Sequence, residues 1–115
     1  MKRLILESTT DFVKKYQSEF HQSTVEVVQK ASLNNKVLVV GMKINPVCKQ
    51  ACKNLSNRNI DFEYLSYGSY FSQWKQRLAI KIWAGWPTFP MVFVDGELIG
   101  GNQQLEKLLE QGKFN

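Results

Sequence analysis

The sequence predicts a mixed α/β fold in which short strands form one four-stranded sheet with helices packed against it. Residues 36–41, Lys-Val-Leu-Val-Val-Gly, form a short β-branched apolar run that is typical of a buried strand. Met91–Val94 and Glu97–Gly100 flank Asp95-Gly96, a dipeptide that strongly indicates a two-residue hairpin. Amphipathic segments with helical spacing separate and follow these strands.

Two helices are predicted before the sheet. Ser8-Thr-Thr-Asp11 and Ser23-Thr-Val-Glu26 each match a capping box, which is the pattern of a helix N-terminus. Apolar side chains recur at helical spacing after each box: Phe12, Tyr16 and Phe20 after the first, and Val25, Val28 and Leu33 after the second. We therefore expect residues 1–35 to form a helical extension packed on a domain that comprises residues 36–115.

The next helix is predicted to begin at Asn45-Pro46, because Asn is a preferred N-cap and Pro a preferred first helical residue. Its inner face is predicted to carry Val47, Ala51 and Leu55. Residues 60–65 alternate in polarity and predict the second strand. Apolar stripes predict two further helices: Phe71, Trp74, Leu78 and Ile82 in the first, and Leu105, Leu108 and Leu109 in the second, with Gly112 at its end.

The order of these elements after residue 35 is that of the thioredoxin fold: strand, helix, strand, helix, strand, strand, helix. Because a helix separates the first two strands, we expect them to be parallel with a right-handed crossover. The last two strands are expected to be antiparallel, since the Asp-Gly turn joins them directly.

Length and composition limit the classes of function. A chain of 115 residues, 43% of them hydrophobic, can bury the core of one domain without disulfides. The net charge of +5 favours anionic partners, but the basic residues form no dense run and no nucleic-acid motif is present. Only Leu4, Ile5 and Leu6 lie between the charged start and Glu7, which is too short an apolar stretch for a signal peptide, and the longest apolar run is far too short to span a membrane. We expect a cytoplasmic monomer that binds neither nucleic acid nor membrane.

Residues 84–101, Ala-Gly-Trp-Pro-Thr-Phe-Pro-Met-Val-Phe-Val-Asp-Gly-Glu-Leu-Ile-Gly-Gly, resemble the monothiol glutaredoxins. That family typically shows Trp-Pro-Thr, a cis proline, a hairpin and Gly-Gly. Arg77 and Lys81 also stand where the family has an Arg and a Lys upstream of Trp-Pro. The resemblance runs from Lys36 to the end of the chain and implies a glutathione-linked thiol–disulfide oxidoreductase with a cis peptide bond before Pro90.

The sequence departs from the family at the nucleophile. An ungapped alignment puts Asn45-Pro-Val-Cys48 on the family's Cys-Gly-Phe-Ser, so the nucleophilic cysteine maps to Asn45 and Cys48 to the resolving cysteine of dithiol relatives. Asn45 has no ionisable sulfur, so the usual mixed-disulfide step is lost. Two functions stay open: an oxidoreductase that works weakly through Cys48, which a shifted alignment would make the nucleophile, and a non-catalytic binding module. Burial of Cys48 would argue against the enzyme.

The resemblance also implies a glutathione site. In the family, cations bind the glycyl carboxylate, the backbone before the cis proline pairs with the cysteinyl part, and the start of the last helix binds the γ-glutamyl carboxylate. The corresponding residues are Lys43, Arg77, Phe89, Pro90, Gly101, Asn102 and Gln103. The family's aspartate for the α-ammonium group is replaced by Gln103, which is neutral.

No metal site is expected. Monothiol glutaredoxins can hold a 2Fe–2S cluster between two subunits through the nucleophilic cysteine and glutathione, and Asn45 removes that thiolate. The only histidine, His21, lies outside the matched region. Cys48 and Cys52 are one helical turn apart, and two ligands on one helix are weak support for a metal, so we favour core packing.

Overall fold

The computed structural model describes residues 10–69 and 71–112. Within these ranges the helices and strands are, in order, α1 Asp11–Glu19, α2 Gln22–Asn34, β1 Val37–Gly41, α3 Pro46–Asn57, β2 Glu63–Ser66, α4 Trp74–Ala84, β3 Met91–Val94, β4 Glu97–Gly100 and α5 Asn102–Glu110.

One mixed sheet joins the four strands in the order β2-β1-β3-β4. Strand β1 is parallel to β2 and antiparallel to β3, and β3 and β4 form an antiparallel hairpin. Asp95 and Gly96 both have positive φ, 52° and 82°, as a two-residue hairpin turn with the right twist requires. The predicted thioredoxin fold is confirmed.

The core lies on both faces of β1, whose five residues are all buried. Val37 and Val39 pack on one face with Leu55 of α3 and Leu105 of α5. Leu38 and Val40 pack on the other face with residues of α2 and α4, Val28 and Ile80. A strand covered on both sides carries apolar side chains at every position, which explains the uninterrupted run in the sequence.

The predicted N-terminal helices form, with different starts and faces. Thr10 caps α1, its Oγ1 accepting from the N–H of Val13 at 3.3 Å, whereas Ser8 of the predicted box and the side chain of Tyr16 lie outside the described residues. The second predicted box is wrong as a helix start, because α2 already begins at Gln22, after His21 in the left-handed region. Leu33 is 71% exposed, and Ser32 is buried in its place.

The expected inner face of α3 is also corrected. Ala51 and Leu55 are fully buried as predicted, but Val47 is 49% exposed and Cys48, at 1%, takes the inner position. Both residues fit helical spacing with Leu55, so periodicity alone does not choose between them. Gly41 decides it: a Cβ there would lie 2.8 Å from the Cys48 Sγ, so the missing side chain leaves the space that the thiol fills.

Helix α4 presents a different face from the predicted one. Phe71 precedes the helix and is 97% exposed, and Trp74, Leu78 and Ile82 are 55%, 40% and 54% exposed. The buried residues of α4 are Arg77, Ala79 and Ile80. Because apolar side chains project from most sides of α4, the positions of the largest ones do not identify the side that packs against the core. Strand β2 likewise starts at Glu63, later than predicted.

Candidate functional site

The strand register brings the predicted site segments to one edge of the sheet. Val40 of β1 pairs with Met91 at the start of β3, so the end of β1 lies beside Pro90. Val92 pairs with Gly100 at the end of β4, which brings the start of α5 to the same edge. The candidate site is therefore bounded by Asn45, by Phe89-Pro90 and by Gly101.

Asn45 caps α3 as predicted. Its side-chain Oδ1 accepts from the backbone N–H groups of Val47 at 2.9 Å and Cys48 at 3.0 Å, and Pro46 is the first helical residue. These are N–H groups that would stabilise an anion at a helix N-terminus. Here a neutral amide oxygen occupies them, and an amide does not form a disulfide.

The Cys48 thiol is enclosed beneath the site. Its side chain is 1% exposed and lies against Gly41 and the Tyr64 hydroxyl, which donates to the Met42 carbonyl at 2.6 Å. Burial raises the pKa of the Cys48 thiol above its ordinary value, although hydrogen bonds with Met42 and Tyr64 oppose the shift. Burial likewise raises the pKa of Cys52 to about 11. Both cysteines are free, and their thiolate forms are disfavoured at neutral pH.

The second wall of the site is Phe89-Pro90. The peptide bond between them is cis, as the resemblance implied, and Pro90 is fully buried while Phe89 is half-buried. The Lys81 ammonium lies 5.6 Å from the centroid of the Phe89 ring, within the range of a cation–π contact. An aromatic surface and a cation thus stand together beside the open backbone of Phe89.

The third wall is the start of α5. The Gly101 N–H donates to the Gln104 Oε1 at 2.9 Å, so the side chain of Gln104 fixes the first turn. A Cβ on Gly101 would lie 3.3 Å from the Pro90 carbonyl oxygen, so glycine permits this close approach. Gln103 is exposed, as a ligand contact requires. Gln104 was missed by sequence reasoning, although a glutamine three residues after an N-cap is a capping signal.

The side chain of Asn102 is engaged within the protein. Its Oδ1 accepts from the Nδ2 of Asn54 at 3.1 Å, and its own Nδ2 donates to Glu106 at 2.9 Å. Asn102 therefore links α3 to α5 through its side chain. A ligand at the N-terminus of α5 would be bound by the backbone N–H of Asn102 and not by its side chain.

Arg77 holds the backbone of the segment before α4 in place, next to the candidate site. Its side chain is only 8% exposed, and its Nη1 donates to the carbonyl oxygens of Tyr67 at 2.8 Å, Ser69 at 2.7 Å and Ser72. The adjacent Gly68 carbonyl accepts from the Lys43 N–H at 2.8 Å. The family resemblance implied that Arg77 binds a ligand carboxylate, which stays a prediction. The structure gives it a further role in holding the segment on which Lys43 rests.

The Trp86 Nε1 is the one buried side-chain polar atom without a hydrogen-bond partner in the described ranges. It lies 3.9 Å from the position that a Cβ on Gly101 would occupy. The indole therefore packs behind the start of α5, as an apolar support for the third wall.

Known proteins resemble this chain over most of its length. A family model described as Glutaredoxin matches residues 45–99. A glutaredoxin-like protein from Dictyostelium discoideum is 44% identical over 110 residues, which cover 96% of this chain and 89% of that protein. The chain belongs to the glutaredoxin family. Its relatives include a monothiol glutaredoxin, ycf64 of Porphyra purpurea, which is 32% identical over 79% of this chain and 87% of its own length.

Solved glutaredoxins share the fold. The mutated buckwheat glutaredoxin matches with a TM-score of 0.73 and 20% identity, over 84% of this chain and 87% of that one. A buckwheat glutaredoxin in complex with glutathione matches with a TM-score of 0.70 and 19% identity, over 83% and 86%. At these identities the likeness establishes the thioredoxin-type fold alone.

The described residues contain neither a metal-ligand cluster nor a membrane-spanning helix. No group of three or more His, Cys, Asp or Glu side chains in them is arranged to hold a metal ion. None of the helices there is long and apolar enough to cross a membrane.

Proposed function

We propose that this chain is a glutathione-binding module of the glutaredoxin family that has lost efficient thiol–disulfide exchange. One observation carries the proposal: the cap position of α3 holds the amide of Asn45, while the nearby thiol of Cys48 is 1% exposed. Exchange requires a thiolate that can reach the sulfur of a disulfide. Neither residue meets both conditions, because one has no sulfur and the other is enclosed.

The groups that would hold glutathione are retained in part. Lys43 is exposed and offers a cation for a carboxylate, and the Phe89 backbone borders the open edge before Pro90. The N–H groups of Asn102 and Gln103 lie in the first turn of α5, which favours a second carboxylate. Because Gln103 replaces an aspartate, we expect weaker binding of the α-ammonium group.

Calorimetric titration with reduced glutathione tests this function. We expect Lys43→Gln to weaken binding by about tenfold, the scale of one charge-assisted hydrogen bond, and Gln103→Asp to strengthen it by adding a carboxylate for the ammonium group. Lys49→Gln is the matched control, since Lys49 is an exposed lysine on α3 beyond the cap. Absence of binding by the unaltered protein, or equal losses in both lysine variants, would contradict the proposal.

A weak oxidoreductase that works through Cys48 is the second candidate. The position of Cys48 in the first turn of α3 favours it, because a helix N-terminus stabilises a thiolate. This reaction needs the segment over Cys48 to open, so we expect slow turnover that Cys48→Ala abolishes. The division of the chain at residue 35, the monomeric state, the cytoplasmic location and the lack of an iron–sulfur cluster stay predictions.

A further inference from the structure

The outer face of α4 carries an apolar stripe without a partner in the described ranges. Trp74, Leu78 and Ile82 follow one another at four-residue spacing and are 55%, 40% and 54% exposed. Phe71, just before the helix, is 97% exposed. Isolated exposed apolar residues are ordinary, but a contiguous stripe of large ones marks an interaction surface.

The stripe is not needed for the packing of α4. The helix already buries Ala79 and Ile80 against the sheet and α2, and Trp83 stacks on Phe93 at a centroid distance of 6.0 Å. These contacts occupy the side of α4 opposite Trp74, Leu78 and Ile82. The α4 apolar stripe is therefore available to another molecule.

Positive charge borders the stripe on both sides. Lys75 lies along one side, with its ammonium 5.6 Å from the Trp74 ring centroid, and Lys81 lies along the other. Helix α4 contains no Asp or Glu, and Glu19 at the end of α1 is the acidic residue that shares a surface pocket with Lys75. Two copies of α4 packed face to face and antiparallel would line one side of the contact with Lys75 of both copies and the other side with Lys81 of both, so the charges favour an acidic partner over a second copy.

The stripe also adjoins the candidate site. Lys81 stands between them, because its ammonium lies over the Phe89 ring of the second wall. A partner that lies along α4 and binds both lysines therefore ends beside the open backbone of Phe89. The helix has 11 residues and is about 16 Å long, which matches three turns of a partner helix.

We propose that the α4 apolar stripe is the docking surface for an amphipathic helix of a partner protein, with an apolar face flanked by acidic side chains. The apolar face covers Trp74, Leu78 and Ile82, and the flanking carboxylates pair with Lys75 and Lys81. This mode is the packing of one amphipathic helix on another, with charge setting the orientation. It does not depend on whether glutathione binds at the neighbouring site.

A labelled peptide of about 15 residues tests the docking surface, since shorter helices are marginal in water. It carries Leu at helical spacing with Glu on both sides, and a second peptide has Lys in place of each Glu. By fluorescence anisotropy with the full chain, we expect the acidic peptide to bind at least about tenfold more tightly than the basic one. Leu78→Gln and Lys81→Gln should each weaken binding by a similar factor.

Val27→Gln is the matched control, because Val27 is 52% exposed on α2, away from the stripe. All these variants alter solvent-exposed or half-buried positions, and circular dichroism checks that they fold. Equal affinity for the two peptides, or an equal loss in Val27→Gln, would overturn the proposal. Two other results would also overturn it: a concentration-dependent dimer that Leu78→Gln abolishes, or binding to phosphatidylserine vesicles that Leu78→Gln abolishes. Either result would assign the stripe to another occupant.

Discussion

Replacement of Arg77 by methionine should lower the free energy of unfolding by about 2–4 kcal/mol. The change keeps an unbranched apolar stem and removes the guanidinium, whose Nη1 donates to the carbonyl oxygens of Tyr67, Ser69 and Ser72. Each hydrogen bond to a charged group contributes roughly 1.5–3 kcal/mol, and an Nη1 with two protons makes about two full bonds. Part of that sum is regained, because water reaches the exposed backbone at Ser72 once the guanidinium is gone.

Urea denaturation followed by circular dichroism measures this loss, with Lys75→Met as the matched control. Lys75 is an exposed cation on the same helix, so its replacement should change the free energy of unfolding by less than about 0.5 kcal/mol. Hydrogen exchange gives a second readout: the Lys43 amide, bonded to the Gly68 carbonyl, should exchange faster in Arg77→Met. If Arg77→Met and Lys75→Met were equally stable, Arg77 would not support the loop.

Three further predictions concern α3. Asn45→Ala should cost about 1 kcal/mol of stability in urea denaturation, because two N–H groups lose their acceptor; an unchanged midpoint would contradict the cap. Folding raises the pKa of Cys52 from 9.0 to about 11 and also raises that of Cys48, so the folded state keeps protons that the unfolded chain releases. The contribution of these thiols to the free energy of unfolding is therefore fully present below pH 9.0 and should be lost as the pH rises towards about 11. The free energy of unfolding should fall less steeply with pH in Cys48→Ala, and equal slopes in the two proteins would refute this cause. Anaerobic reconstitution with iron, sulfide and glutathione should leave no stable cluster by visible absorption, and stoichiometric iron retained by the unaltered protein would point to Cys48 as a ligand.

Local signals in the sequence predicted much of the fold. The Asp95-Gly96 turn, the N-cap of Asn45 and the run in β1 each depend on neighbouring residues alone, and all three are confirmed. The cis bond before Pro90, which the family resemblance implied, is present as well. Once the hairpin and the parallel strand are placed, the register brings their ends to one edge of the sheet.

The errors arose where tertiary contacts choose between adjacent helical positions. Val47 and Cys48 both fit the spacing of α3, and only the space left by Gly41 selects Cys48. The acceptors of Arg77 are backbone carbonyls in an irregular segment, whose direction the sequence does not encode in any local pattern. The apolar stripe that predicted α4 likewise identified the helix but not its inner face, since its large side chains are exposed and Ala79 and Ile80 are buried instead.

Glutathione-dependent reduction of a small disulfide by the unaltered protein and by Asn45→Cys tests the loss of the nucleophile most directly. The variant restores a thiol at the start of α3, where the helix N-terminus lowers the pKa of a cysteine. We expect background turnover from the unaltered protein and turnover at least about 100-fold higher from Asn45→Cys, the least that a restored nucleophile should give. Full turnover by the unaltered protein that Cys48→Ala abolishes would contradict the proposal and make Cys48 the nucleophile.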